Sequence, residues 1–167
     1  MAAYGYDSGF AAWLASQGLT LPVGAPLPAV LRQIGSNYID AAYEWRLSCS
    51  SRAGGFAQEL AWPRVNHTIN GELVPDDLIP PAWVNASYRA AYLTAVTPGW
   101  AITGEDATRQ TRRERVEGAV EVEYFAASEA AGSDVAPGMP SDSIINGMVA
   151  MWLCSNKRTA NSLLRVI

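Results

Sequence analysis

The chain is poor in the residues that chemistry usually needs: 167 residues contain one histidine and two cysteines. A His-based triad or a Cys/His zinc cluster needs more partners than His67 offers, and Cys49 and Cys154 show no CxxC spacing. Two cysteines so far apart read as reduced thiols of a cytosolic product. Charge is sparse as well, with 17% charged residues and a net charge of -4. The molecule as a whole therefore carries no electrostatic footprint for nucleic acid or an anionic membrane, and any DNA contact must be local. No apolar run approaches the roughly 18 residues that span a bilayer, and Met1 to Phe10 lack a basic stretch followed by an apolar one. Neither export by a signal peptide nor a membrane partner is expected, so the sequons at Asn66 and Asn85 read as coincidence.

The usual catalytic signatures are missing too. Asp76-Asp77 and Glu105-Asp106 fall in polar connectors, where solvated turn residues are the ordinary explanation. Gly54-Gly55 and Gly132 match neither a phosphate loop nor a dinucleotide fingerprint. These absences predict no catalytic residue, cofactor or metal, and hence no enzyme.

What remains is a chain with 49% hydrophobic residues, six tryptophans and seven tyrosines, enough for one core and rich in surface suited to assembly. Its periodicity predicts a mainly α fold: a small helical bundle with a charged β-hairpin and an extended C-terminal tail. Asp7 or Ser8 caps a first helix with Phe10, Trp13, Leu14 and Gln17 on one face and Gly18 as its stop. After the Pro-rich connector 19–28, a helix from about Leu27 to Leu47 aligns Val30, Ile34, Tyr38, Ala41, Ala42 and Trp45. From Ser48 to Pro80 the period disappears into a long loop, of the kind that is functional or packed on a neighbour. Pro81 opens a third helix with Val84, Tyr88, Ala91, Tyr92 and Ala95 inward, ended by Thr97-Pro98-Gly99. Residues 126–140 read as a linker, and Ser141 or Asp142 caps a last helix bearing Ile145, Met148, Val149 and Trp152. The boundaries expected are 1–153 for the helical domain, with the hairpin near 110–125, and 154–167 for a docking tail.

In the hairpin, Val116, Val120, Val122 and Tyr124 share one parity while Arg115, Glu117, Glu121 and Glu123 take the other, with Glu117-Gly118 as the turn. Arg109, Arg112, Arg113 and Arg115 place four cations within seven residues. They either pair with Glu121 and Glu123 across the hairpin or neutralise phosphates locally. No stacking aromatics interleave with them, as a single-strand platform would require, so the pairing reading leads.

Several stretches in order, Asp7-Ser8-Gly9-Phe10 with Trp13-Leu14, Tyr38-Ile39-Asp40 to Trp45-Arg46, Gln58 to Arg64, Val74-Pro75 to Ala82, and Arg113 to Tyr124, resemble a phage family. Its members are often labelled DnaT-like single-stranded-DNA-binding proteins, and they look like the head-to-tail connector adaptors of long-tailed phages. The resemblance covers roughly residues 7 to 125. It implies a structural virion protein, made in the host cytoplasm, whose copies, about twelve, close a ring. That ring would sit between the portal protein and a neck or tail-completion protein, with genomic DNA passing through without sequence-specific binding. Subunit contacts would fall on Trp62, Arg64, Arg112, Arg113, Arg115, Val120, Val122 and Tyr124. Portal docking would fall on the tail through Lys157, Arg158, Leu163, Leu164, Val166 and Ile167. For Trp62-Pro63, fixing the loop against its own helices is an equal reading. The alternative function, prompted by the family label and the arginines, is a single-stranded-DNA-binding replication accessory.

Overall fold

A computed structural model describes residues 2–101, 111–116, 120–124, 135–136 and 138–154. The fold is mainly α, with small antiparallel two-stranded pairs. Helix α1 (Asp7–Ser16) buries Phe10, Trp13 and Leu14, as its spacing predicts, and Gly18 at φ +65° lets Leu19 N–H donate back to the Leu14 carbonyl. Gln17, expected on the inner face, is exposed beyond the helix end.

Helices α2 (Pro28–Tyr43) and α3 (Pro81–Val96) form the centre of the molecule, each opened by a proline whose missing N–H costs nothing in the first turn. The buried face of α2 is Leu31, Gly35, Tyr38, Ile39 and Ala42, rotated from the expected stripe. Val30 and Trp45, taken as core, are 46% and 52% exposed. The rotation follows from close packing, because α2 meets α3 where Gly35 faces the Ser87 carbonyl and Ala91. After Tyr43 the helix tightens into a 3-10 turn, Glu44–Leu47, which swings Trp45 off the helical face. Helix α3 is buried on two sides. One side bears Tyr88, Ala91 and Ala95 and packs against α1 with Leu31. The other bears Trp83, Ala86 and Ala90 and packs into the main core with Tyr38, Tyr43, Leu47 and Trp62.

The long loop is built rather than loose. Strands β1 (Ser51–Arg52) and β2 (Arg64–Val65) pair across it, and β3 (Thr68–Ile69) pairs with β4 (Glu72–Leu73). Asn70 and Gly71, at φ +53° and +87°, supply the two left-handed residues of a type I′ turn between β3 and β4. Trp62-Pro63 is a cis peptide. Strands β5 (Thr111–Val116) and β6 (Val120–Tyr124) form the expected hairpin, and its Glu117-Gly118 turn lies outside the described residues.

The end of the expected linker is part of the fold. Val135 is buried, Ala136 N–H donates to the Ala42 carbonyl, and the Tyr38 hydroxyl donates to Pro140. Asp142 caps α4 (Ser143–Val149) by accepting from the Ile144 and Ile145 amides, and Ile145 and Val149 are buried. A further 3-10 turn, Ala150–Trp152, leads to Cys154. That residue corrects the reduced-thiol expectation: Cys49 and Cys154 are joined in a disulfide. Helix α4 packs beside α3 and delivers Cys154 to the loop that carries Cys49, a closeness that linear spacing does not reveal. Among the described residues no helix is long and apolar enough to cross a membrane. The docking-tail residues Lys157, Arg158, Leu163, Leu164, Val166 and Ile167 lie outside the described residues, as do Glu105-Asp106, Arg109 and Gly132.

Candidate nucleic-acid interface

Most cations of the helical body are already engaged. Arg32 pairs with Asp7 at 2.7 Å and Arg89 with Asp142 at 3.1 Å. Arg64 is buried and donates to the carbonyls of Leu47, Ser50 and Ala61 and to the Ser50 hydroxyl. Trp62 is wholly buried, edge-on to Trp83, Trp152 and His67. Both expected subunit-contact residues in this loop are thus inside the chain's own core, where they fix the loop against α2, α3 and Trp152 and present no face to a neighbour.

The loop is anchored through Asp40 of α2. Its carboxylate accepts from the Tyr4 hydroxyl at 2.8 Å, the Trp83 indole at 3.1 Å and the Ala61 amide at 2.8 Å. Burial pushes its pKa from 3.8 up to about 6 despite those donors. The same burial, with Asp40 beside it, pushes the Tyr4 phenol far above its usual range. On the loop's far side His67 is buried, and burial with the Arg64 cation pushes its pKa down. This is an apparatus for holding a loop in place.

What the anchored loop presents outward is aromatic, with arginine side chains beside it. Trp45 is held by an indole N–H donated to the Ala42 carbonyl, and the Arg46 guanidinium sits 6.0 Å from its ring centroid. Phe56, on the 3-10 turn Gly55–Ala57, is fully exposed at 110%. Between these turns lies an open cleft of about 470 Å³ lined by Glu44, Ser51, Arg52, Gly55 and Phe56. Glu44 takes two 2.6 Å hydrogen bonds from Arg52 and a 3.6 Å ion pair from Arg64. The Arg52 guanidinium foremost, with Arg64 behind it, holds the Glu44 carboxyl below its ordinary range. Two guanidiniums flank the Glu44 carboxylate, and the Asp40 carboxylate lies close enough to act on Arg52 as well.

The hairpin is the other basic element. Its register sets Arg113 opposite Glu123 and Arg115 opposite Glu121, the cross-strand arrangement expected of an ordinary charged ribbon. Arg112 falls in the register irregularity between Thr111 and Arg113 and has no residue opposite. Val120 stands opposite Val116, Val122 opposite Glu114 and Tyr124 opposite Thr111.

Sequence reasoning missed Trp45 and Phe56 as surface residues. Trp45 fits the helical stripe until the tighter turn breaks the phase. The only signal for Phe56 is a large apolar residue beside two glycines in a polar loop.

A family model described as "Putative DnaT-like ssDNA binding protein" matches residues 6–166. No curated protein and no solved structure matches. The description names single-stranded DNA and no ring, portal or neck component. It overturns the expectation of a head-to-tail adaptor through which genomic DNA merely passes, and favours the alternative.

Proposed function

From the premise that the chain belongs to the DnaT-like ssDNA binding family, we propose that it binds single-stranded DNA as an accessory protein and performs no covalent step. The observation that carries the reading is the family match over nearly the whole chain. The geometry that supports it is the pairing of exposed aromatic faces with cations, the combination that holds single strands without regard to sequence. Trp45 and Phe56 offer faces for unstacked bases, with Arg46 and Arg52 beside them. Arg112, Arg113 and Arg115 on β5 add phosphate contacts. Duplex DNA keeps its bases stacked and offers nothing to such faces, so single strands are the preferred form.

Fluorescence anisotropy of a dye-labelled oligothymidylate tests the reading, with the matching duplex as competitor. Trp45→Ala and Phe56→Ala are each expected to weaken binding about ten-fold, since base stacking on an aromatic contributes about 1–3 kcal/mol. The Phe56→Ala melting midpoint should hardly move, because substitutions at exposed positions usually stay within about 0.5 kcal/mol, whereas Trp45→Ala also loses its bond to the Ala42 carbonyl and should melt slightly lower. Binding that favours the duplex, or that survives loss of both aromatics unchanged, refutes the proposed surface.

A further inference from the structure

Among the described residues, Cys49, His67 and Cys154 place their sulfur and ring-nitrogen atoms within 4.8 Å of one another. We propose that, once the Cys49–Cys154 disulfide is reduced, these three side chains form a Cys2His zinc site. The C-terminal segment is then held to the core loop either covalently or through a metal. This inference is independent of the DNA-binding reading.

The elements that set the geometry belong to the folded body. Cys49 follows the 3-10 turn at the end of α2, His67 stands between β2 and β3, and Cys154 follows the turn after α4. The two cysteine Cα atoms are 5.8 Å apart. Released thiols at that spacing need only rotate about their Cα–Cβ bonds to part. His67 is 1% exposed, and its Nδ1 lies 3.9 Å from Cys49 Sγ. Zinc bonds of about 2.3 Å to sulfur and about 2.0 Å to nitrogen, at the tetrahedral angle, require roughly 3.5 Å between those atoms. The ring is therefore within a few tenths of an ångström of a ligating distance.

Other observations fit the chemistry. The Cys49 amide lies 3.1 Å from Cys154 Sγ, where it would donate to a thiolate. Nε2 of His67 is buried without a full hydrogen bond, beside the Trp152 backbone. A proton on Nε2 leaves a lone pair on Nδ1, which faces the Ser50 hydroxyl at 3.0 Å and would exchange that hydrogen bond for the metal. An open hollow of about 350 Å³, lined by Arg46, Cys49, Asn70, Met151 and Cys154 among others, gives solvent access to the sulfurs. It leaves the fourth position to water, the arrangement of an open Cys2His site. Two thiolates and Zn2+ sum to zero charge, so the metal adds no net charge beside buried Arg64.

The electron balance is simple. A dithiol reductant supplies two electrons and two protons to the S–S bond and is itself oxidised to a disulfide. Zn2+ then displaces the two thiol protons to solvent.

The test uses the full chain, oxidised or treated with a phosphine that does not hold zinc. After incubation with Zn2+ and desalting, metal is measured by elemental mass spectrometry, and folding is followed by circular dichroism. The reduced chain is expected to retain one zinc and the oxidised chain none. Co2+ in its place should show thiolate-to-metal charge transfer and the visible bands of tetrahedral coordination. Cys154→Ser should abolish retention. His67→Gln should weaken it by more than the roughly ten-fold typical of changes outside the ligand shell. A reduced chain that stays metal-free, folded or not, overturns the proposal, as does retention unchanged in Cys154→Ser or affinity unchanged in His67→Gln.

Discussion

Asp40 shows what a single residue contributes to holding the loop. Both of its oxygens accept hydrogen bonds from groups far apart in the chain, Tyr4, Ala61 and Trp83, so one carboxylate ties the N-terminal segment, the loop and α3 to α2. Its pKa in the folded chain is about 6, above the 3.8 of an ordinary aspartate. Between these values the folded state binds the proton and the unfolded chain does not. Its contribution is therefore fully present below about pH 4 and lost as pH rises through about 6. Two pKa units correspond to roughly 3 kcal/mol at most. His67 tilts the other way, because its depressed pKa makes stability rise with pH up to the ordinary histidine value. Comparison with a variant isolates the carboxylate. Urea melts from pH 4.5 to 7 should show Asp40→Asn lower in stability at every pH, since an amide cannot accept from all three donors, with the smallest deficit at neutral pH. A deficit that stays constant across the range would show that Asp40 does not titrate there.

At the scale of elements, the contact between α2 and α3 depends on one missing methyl group. A Cβ built at Gly35 would come within 2.2 Å of the Ser87 carbonyl and 2.9 Å of the Ala91 amide, both backbone atoms of α3 that cannot step aside. Gly35→Ala should therefore destabilise the fold by about 1–3 kcal/mol, although alanine is the better helix former. A chemical melt checks it, and an unchanged midpoint would mean that the helices stand further apart. The same contact explains what was legible in the sequence. Helices α1 and α3 could be placed because Gly18, Pro81 and Thr97-Pro98-Gly99 are local signals, and Asp142 could be placed as a cap for the same reason. The phase of α2 could not, because Gly35 and Ser36 are inside while Val30 is outside. Hydropathy places those residues the other way round, and only the close approach of α3 decides. The aromatic surface was hidden for a related reason, since Trp45 leaves the stripe only where the helix tightens. The loop around His67 shows no period in the sequence because its order comes from Asp40, Arg64 and the Cys49–Cys154 bond, each joining distant positions.

For the whole molecule, the question is how a chain of net charge -4 holds a polyanion. Cations of the helical body are taken up by acids of the same chain, as Arg32 is by Asp7 and Arg89 by Asp142, so long-range attraction is weak and the contact must be local. On β5, Arg113 and Arg115 face Glu123 and Glu121 in the register, while Arg112 faces none. If Arg112 alone displaces a counterion, the logarithm of the binding constant falls against the logarithm of salt with a slope of about -0.7. If all three arginines engage, the slope is about -2. The glutamates opposite in register decide between these limits, because a carboxylate at that position competes with a phosphate for the arginine. Glu121→Gln with Glu123→Gln is therefore expected to tighten oligothymidylate binding several-fold at low salt and to move the slope towards -2. Trp45→Ala should weaken binding at every salt concentration and leave the slope where it is, since stacking displaces no counterion. A salt titration of these variants separates the two contributions. A slope that the glutamine pair leaves unchanged would place the phosphates away from the hairpin, against Arg46 and Arg52.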